Sequence, residues 1–259
     1  MPCQLMGSFV MENSCNGRVS WLPCGGFAPP GQPRGILPLR MIVFLKHELF
    51  AGGSRMSVEL KTEDALRTVY PDPGQTRGKV LPALEEHART FIGLSPFLCI
   101  GTSRPDGLAD VSPRGGEQGF VHVLDDTHLA MPDRPGNNLI DTLSNIAQSP
   151  SVGLLFFVPG FEEMLRVNGV AKTTLDPEMM ERFAVDGKKP RSVMIIEVRE
   201  VFFHCTKALK RSGLWDSSKH VPREKMPSFG QIIRDQLKLL IPAKIIDMGL
   251  NQDAKKNLY

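Results

Sequence analysis

The sequence predicts an α+β fold that is mainly β, an antiparallel, barrel-like sheet with helical caps. Three observations carry that expectation. Segments of strand length recur between residues 97 and 205, and turn signals such as Asp106-Gly107 join many of them. Helical periodicity is confined to stretches between or outside those segments. Evenly spaced strand–helix–strand units, which a doubly wound dinucleotide fold requires, are missing.

Residues 1–55 hold Gly25-Gly26, Pro29-Pro30, Pro33, Pro38 and Gly52-Gly53 with little periodicity, a pattern of irregular structure. The apolar part of 36–50 has no basic lead-in and no small-residue cleavage site, which disfavours a secretory signal. Two readings stay open: a native start at or near Met56, or a real N-terminal arm. The domain is expected over 56–245, with 246–259 as a tail. Ser57 is the candidate cap of a helix over 57–69.

A second helix is expected over 82–92, with Leu81, Leu84, Ala88 and Phe91 or Ile92 along one side. Strands follow at 97–103 and 108–113, joined by Arg104-Pro-Asp-Gly107. Residues 119–124 alternate, with Phe120, His122 and Leu124 on one face, and 128–132 is the next strand. In the helix over 138–148, Leu139, Leu143 and Ile146 share a face. Asn138 is its expected cap, and Asp141 completes a capping box. The apolar run 152–158 suits a strand buried on both sides. Residues 164–174 form another strand, with Gly169 as a bulge.

Asp176 caps a helix reaching about residue 185, with Pro177 in its first turn. The last long strand spans 193–205, with Met194, Ile196 and Val198 inward and Glu197 and Arg199 outward. Helices are expected over 206–214 and 228–240.

Composition narrows the function class. A net charge of +3, spread along 259 residues, gives no basic tract that would follow a nucleic-acid backbone. No apolar run approaches the roughly 20 residues that span a bilayer. The 5 cysteines (Cys3, Cys15, Cys24, Cys99, Cys205) form no C-x-x-C pair and no metal-ligand spacing. Reduced thiols in a cytoplasmic protein are the simplest reading, with Cys99 and Cys205 buried and inert.

Two motifs carry chemistry: Asp110-Val-Ser-Pro-Arg-Gly-Gly116 and Asp133-Arg-Pro-Gly-Asn-Asn-Leu-Ile-Asp-Thr142. Each sets an arginine beside glycine and proline, where guanidinium and backbone N–H groups can converge on an anion. The second runs into a helix N-terminus, a natural phosphate site. A phosphorylated cofactor fits this pattern. Each residue also has a plainer role available. Arg114 can be a surface residue after a turn, Asp133 and Arg134 a local ion pair, and Asn137 and Asn138 helix caps. Arg166 and Asn168 can line a solvated face, and His122 and His204 can serve packing. Lys207, Arg211 and Trp215 fall on one side of a helix.

The two motifs, with Gly119-Phe-Val, Val123-Leu-Asp-Asp126, Val152-Gly-Leu-Leu-Phe156, Leu165-Arg-Val-Asn-Gly169 and Phe203-His-Cys-Thr-Lys-Ala208, carry a family resemblance. From residue 97 to about 215 the chain resembles the pyridoxamine 5′-phosphate oxidase superfamily of FMN-binding split barrels. The likeness is to a bacterial branch of FMN-dependent proteins of unassigned activity. It implies a split β-barrel, a homodimer, FMN at the subunit interface, and cofactor contacts from Ser112, Arg114, Gly115, Arg134, Asn137, Asn138 and Arg166. Lys207 and Arg211 would reach the partner's flavin. The chain departs from that branch at Leu139, where a basic residue is expected.

These readings give an FMN-binding flavoprotein that transfers a hydride between a small substrate and FMN, with oxygen or a nicotinamide as the other partner. The alternative is a non-catalytic binding module for flavin, deazaflavin or haem. No nucleophile–histidine–acid set and no metal site is visible, so catalytic side chains are unassigned. The Arg-Leu-His segment of true pyridoxamine-phosphate oxidases is absent from the sequence.

Overall fold

Seven strands form one open antiparallel sheet in the order β2-β1-β5-β6-β7-β4-β3. The computed structural model describes residues 59–259, so the expected leader, the Met56 start and the Ser57 cap lie outside them. Contacts divide the chain between Leu66 and Arg67. The described part of the first unit holds most of helix α1, Glu63–Arg67, far shorter than the helix expected over 57–69.

The second unit contains the whole sheet. β1 (Phe97–Ser103) and β2 (Ala109–Gly115) form the expected hairpin, with Gly107 at φ +85° and Arg104 N–H donating to Leu108 O at 2.8 Å. The left-handed backbone at Gly107 is what the Asp-Gly signal anticipates. Helix α2, Glu86–Leu94, starts later than predicted. The Glu85 carboxylate caps it by accepting from His87 N (2.8 Å) and Ala88 N (2.8 Å). Leu84, Ala88, Phe91 and Ile92 are buried as the periodicity requires, but Leu81 instead bridges to Val201 outside the helix.

The segment 119–124 yields only a two-residue strand, β3 (His122–Val123), paired with β4 (His128–Asp133). Its alternation gives way at Phe120, whose N–H turns back to Glu117 O, and Val121 rather than its neighbours is buried. β5 (Ser151–Phe157) alternates between buried and half-buried positions. Its apolar run is therefore one core face and one outer face, not a strand buried on both sides.

β6 (Met164–Thr174) and β7 (Ser192–His204) form the longest pairing, with a register shift between Asn168 and Gly169. A Cβ on Gly169 would overlap the Glu197 carbonyl oxygen and lie 3.1 Å from its carbon, so the bulge admits only glycine without rearrangement. Leu98, Ile100, Leu154, Phe156, Leu165, Val167, Met194 and Ile196 join α2 in the main core. A smaller cluster joins Ala130, Phe183 and Val193 under α4 (Pro177–Arg182), whose N-cap Asp176 accepts from Met179 N at 2.9 Å.

Helix α5 spans Lys207–Ser212 and ends at Gly213, φ +61°. Trp215 therefore lies beyond it, and its indole N–H donates to Phe161 O at 2.7 Å. α6 (Phe229–Leu237) is capped by Ser228 and packs on α7 (Ala243–Lys256), which runs through most of the tail expected over 246–259. Close approach at Gly230 explains the pairing. A Cβ there would sit 2.6 Å from Ala243 O, and Gly230 N–H donates to Asp247 at 2.7 Å.

Candidate functional site

The inner face of β2, an edge strand, carries polar residues where the rest of the sheet carries core. Asp110, Ser112 and Arg114 stand opposite Thr102, Ile100 and Leu98 of β1, so their side chains share the face of the buried cluster. Val111 and Pro113, between them, face outward and are exposed. Strand alternation thus aims the first motif inward.

Helix α3, Asp141–Gln148, closes this face and brings in the second motif. It begins three residues later than the expected start at Asn138, and neither Asn137 nor Asn138 caps it. Asn137 Oδ1 accepts from Leu139 N at 3.0 Å, forming a local turn. Asn138 has φ +60°, and the residue before the helix is Ile140, with φ +54° and no side-chain cap hydrogen bond. A β-branched residue in this left-handed region stores about 1–3 kcal/mol of strain. The first-turn N–H groups of α3 therefore carry no side-chain acceptor from Ile140. Leu139 and Ile140 are exposed, whereas Thr142, Asn145 and Ile146 are buried. Leu139 thus leaves the face shared by Leu143 and Ile146.

Two hydrogen bonds join α3 to the hairpin. Asn145 Nδ2 donates to Thr102 Oγ1 at 2.9 Å in the interior, and Thr142 Oγ1 donates to Asp110 Oδ2 at 3.4 Å. Ser112 Oγ donates to the same Asp110 oxygen at 3.2 Å. The Ser112 proton is thus turned toward the strand rather than toward a ligand.

Arg114 sits beside Asp133 and Asp110. Burial pulls its guanidinium below its ordinary value, and the two carboxylates oppose that. One nitrogen, Nη1, donates to Pro113 O at 2.9 Å, while Nε is buried with no hydrogen-bond partner among the described residues. Asp133, at the end of β4, is pushed up by burial and drawn down by Arg114 and Arg191. Its cationic neighbours are these two, so the local Asp133–Arg134 pair weighed from the sequence is not what forms.

Arg191 is a residue that sequence reasoning missed. Its guanidinium donates to Asn138 Oδ1, and its N–H donates to Asp133 O at 3.2 Å. It puts a cation on the Asn-Asn turn, whose following position, Leu139, lacks one. Arg134, the next residue after Asp133, has its guanidinium 5.1 Å from the centroid of the Tyr259 ring. Burial lowers its value, with Tyr259 and Glu117 acting against that.

The glycines differ in purpose. A Cβ at Gly116 would come within 2.7 Å of Phe120, so packing explains that residue; at Gly115 the nearest atom is Pro96 O at 3.4 Å, and Gly136 opens onto free space.

The remaining predicted site residues are not brought to this cluster. Leu165 and Val167 are fully buried, so Arg166 and Asn168 face the opposite side of the sheet. There Arg166 stands 5.3 Å over the Phe202 ring and 3.8 Å from Glu200, and its Nε is also buried without a hydrogen-bond partner among the described residues. Asn168 donates to Glu200 at 2.9 Å. Burial lowers His204, and Arg166 adds to the effect. Lys207 and Arg211 are exposed on α5, which follows that edge of β7.

His122 stacks on Phe183 at 4.2 Å, which accords with a packing role. Cys99 is half-buried and Cys205 exposed, which corrects the expectation that both are buried. They sit on the outward side of β1 and beyond the end of β7.

Among the described residues no cluster of His, Cys, Asp or Glu could hold a metal, and no helix is long and apolar enough to cross a membrane.

Residues 84–205 match the family described as pyridoxamine 5′-phosphate oxidase, the likeness that the motifs carry. No curated protein matches the chain in sequence. Among solved structures, HupZ from Group A Streptococcus is 15% identical, covers 46% of this chain and 93% of its own, and superposes with a TM-score of 0.40. A candidate pyridoxamine 5′-phosphate oxidase from Lactobacillus delbrueckii is 22% identical, covering 47% of this chain and 99% of that one at a TM-score of 0.37. A related FMN-binding protein from Nostoc punctiforme is 14% identical, with coverages of 43% and 75% and a TM-score of 0.30.

Proposed function

We propose that this chain, which resembles the pyridoxamine 5′-phosphate oxidase family over residues 84–205, binds FMN and acts as an oxidoreductase passing a hydride between a small substrate and the flavin. One observation carries the cofactor reading. Arg114, on the inner face of the edge strand, keeps its Nε buried and without a hydrogen-bond partner among the described residues. An unsatisfied buried donor on a charged group costs about 1–3 kcal/mol or more, and a bound anion offsets that cost. The FMN phosphate is such an anion, and guanidinium groups suit its geometry.

In this reading Arg114 and Arg134 hold the phosphate, and Arg191 supplies the charge that Leu139 does not. Gly136 opens onto free space that the cofactor can occupy, Gly115 lets the backbone of β2 come close, and Asn137 and Asn138 contribute from the turn before α3. Ser112 orients Asp110 and contributes as an acceptor. The flavin, when bound, supplies the redox chemistry, and the chain binds and orients it.

Arg166 faces the other side of the sheet, so one copy cannot bring it and Arg114 to the same flavin. Two copies facing each other can. The outer face, with Phe97, Leu155 and Phe157 half-buried or exposed, supports such a homodimer with FMN between the subunits.

The two carboxylates of the Arg114 cluster are already engaged, Asp110 by Ser112 and Thr142 and Asp133 beside Arg114 and Arg191, which keeps the non-catalytic binding module as the second reading. Flavin absorbance and mass spectrometry of small molecules released from the purified protein test the cofactor, and FMN is the expected finding. Anaerobic mixing with NADPH, NADH or pyridoxamine 5′-phosphate then separates the readings. Bleaching of the flavin band is the enzyme's result; an unchanged band with all three favours the binding module. Colourless protein that releases no flavin and takes up no added FMN refutes both flavin readings.

A further inference from the structure

Tyr259 stands three residues beyond α7 and is half-buried, although residues 251–258 before it are exposed. Two contacts return it to the sheet. Its ring lies over Arg134 at 5.1 Å, and its carbonyl oxygen accepts from Lys188 Nζ at 3.2 Å. Lys188 itself is fixed by paired backbone bonds with Val185 at 3.0 and 2.9 Å. The ring is therefore held from a neighbouring turn rather than trailing past the site.

Geometry decides what this contact does. The N–H donors of a guanidinium lie in its plane, whereas an aromatic ring attracts it through the face. Arg134 Cζ stands over the Tyr259 ring, and a guanidinium lying flat there keeps its donor edge free for a bidentate bond to phosphate. The ring also removes water from one side of the charge, which strengthens electrostatic bonds made at the edge. An unrestrained arginine loses considerable rotamer freedom on binding, and a side chain already clamped loses less.

We infer that Tyr259 is a positioning residue for the anion site: its ring clamps the Arg134 guanidinium by the face and presents the N–H edge to the cofactor phosphate. The inference rests on Arg134 being a phosphate ligand. It assigns to Tyr259 a role in choosing FMN over riboflavin, which lacks the phosphate, without any contact of its own with the ligand.

The test is fluorescence titration of the full chain with FMN and with riboflavin, for wild type, Tyr259→Ala and Tyr259→Phe. Tyr259→Ala is expected to weaken FMN by about threefold to fivefold, the scale of an exposed cation–π contact, and to leave riboflavin unchanged. Tyr259→Phe keeps the ring and is expected to bind like wild type. In ligand-free protein, phenylglyoxal should modify Arg134 faster in Tyr259→Ala than in wild type, as read by peptide mass spectrometry. A wild type that prefers FMN, with Tyr259→Ala equal to it or tighter, overturns the inference alone. A wild type that does not distinguish FMN from riboflavin overturns the phosphate reading, and this inference with it.

Discussion

Replacing Thr102 by valine separates the two halves of the candidate site at the point that joins them. Thr102 Oγ1 accepts from Asn145 Nδ2 at 2.9 Å, and both residues are only 4% exposed. Valine keeps the shape and removes the acceptor, so the Asn145 amide is left buried and unpaired. That costs about 1–3 kcal/mol. For a folded unit of this size about 1 kcal/mol shifts Tm by ~2–4 °C, so a central cost of about 2 kcal/mol lowers Tm by ~4–8 °C. Removing both partners is different, because apolar groups of similar shape leave nothing unsatisfied. Thr102→Val combined with Asn145→Leu should recover at least about 1 kcal/mol relative to the sum of the single changes.

The assay is thermal and urea unfolding followed by circular dichroism, run as a double-mutant cycle. FMN titration of each variant adds the functional readout. Because α3 carries the second motif against the hairpin, Thr102→Val should also weaken FMN. A Thr102→Val protein within about 0.5 kcal/mol of wild type, or a strictly additive cycle, would refute the view that this buried bond holds α3 to the sheet.

Two further predictions concern the frame around the site. Gly169→Ala puts a Cβ into the Glu197 carbonyl on the neighbouring strand, so β6 or β7 must shift; a loss of about 1–3 kcal/mol in urea unfolding is expected, and an unchanged midpoint would mean that the bulge is not tight. His122 is held below its ordinary value of 6.5 by burial first and then by Arg182. A depressed folded-state value means stability that is present above that ordinary value and lost as pH falls through the folded one. His122→Phe, which keeps the stack on Phe183, should therefore lose less Tm than wild type between pH 7.5 and pH 5, and an equal loss in both would contradict the assignment.

Local signals made much of this molecule readable in its sequence. The Asp-Gly turn, the Gly169 bulge and the Asp176 cap each depend on a few adjacent residues, and each is found where those residues place it. Strand alternation also puts Arg166 opposite Leu165, which is why its outward side could be anticipated. The Asn-Asn turn defeats the same reasoning. Its residues favour a cap, but positive φ at Asn138 and Ile140 turns the chain once more before α3 begins. Helix α7, which the sequence reading did not contain, has no side-chain cap at Pro242, and its partner α6 fixes it through Gly230.

At the site, the sequence pointed to Arg114 and Arg134 through their motifs. Arg191 and Tyr259 had no local signal, because they meet Asn138 and Arg134 across 53 and 125 positions of chain. Only the strand order, which sets β7 beside β4, brings Arg191 to Asp133.

The account stands most directly on how much affinity comes from the phosphate at Arg114. The measurement is the ratio of riboflavin to FMN dissociation constants for wild type and for Arg114→Ala. Two charge-assisted contacts of about 1.5–3 kcal/mol each predict a wild-type preference for FMN of roughly a hundredfold or more. Arg114→Ala should cut that preference at least about tenfold while riboflavin affinity holds. A wild-type ratio near one, or a preference that survives the loss of Arg114, would contradict it.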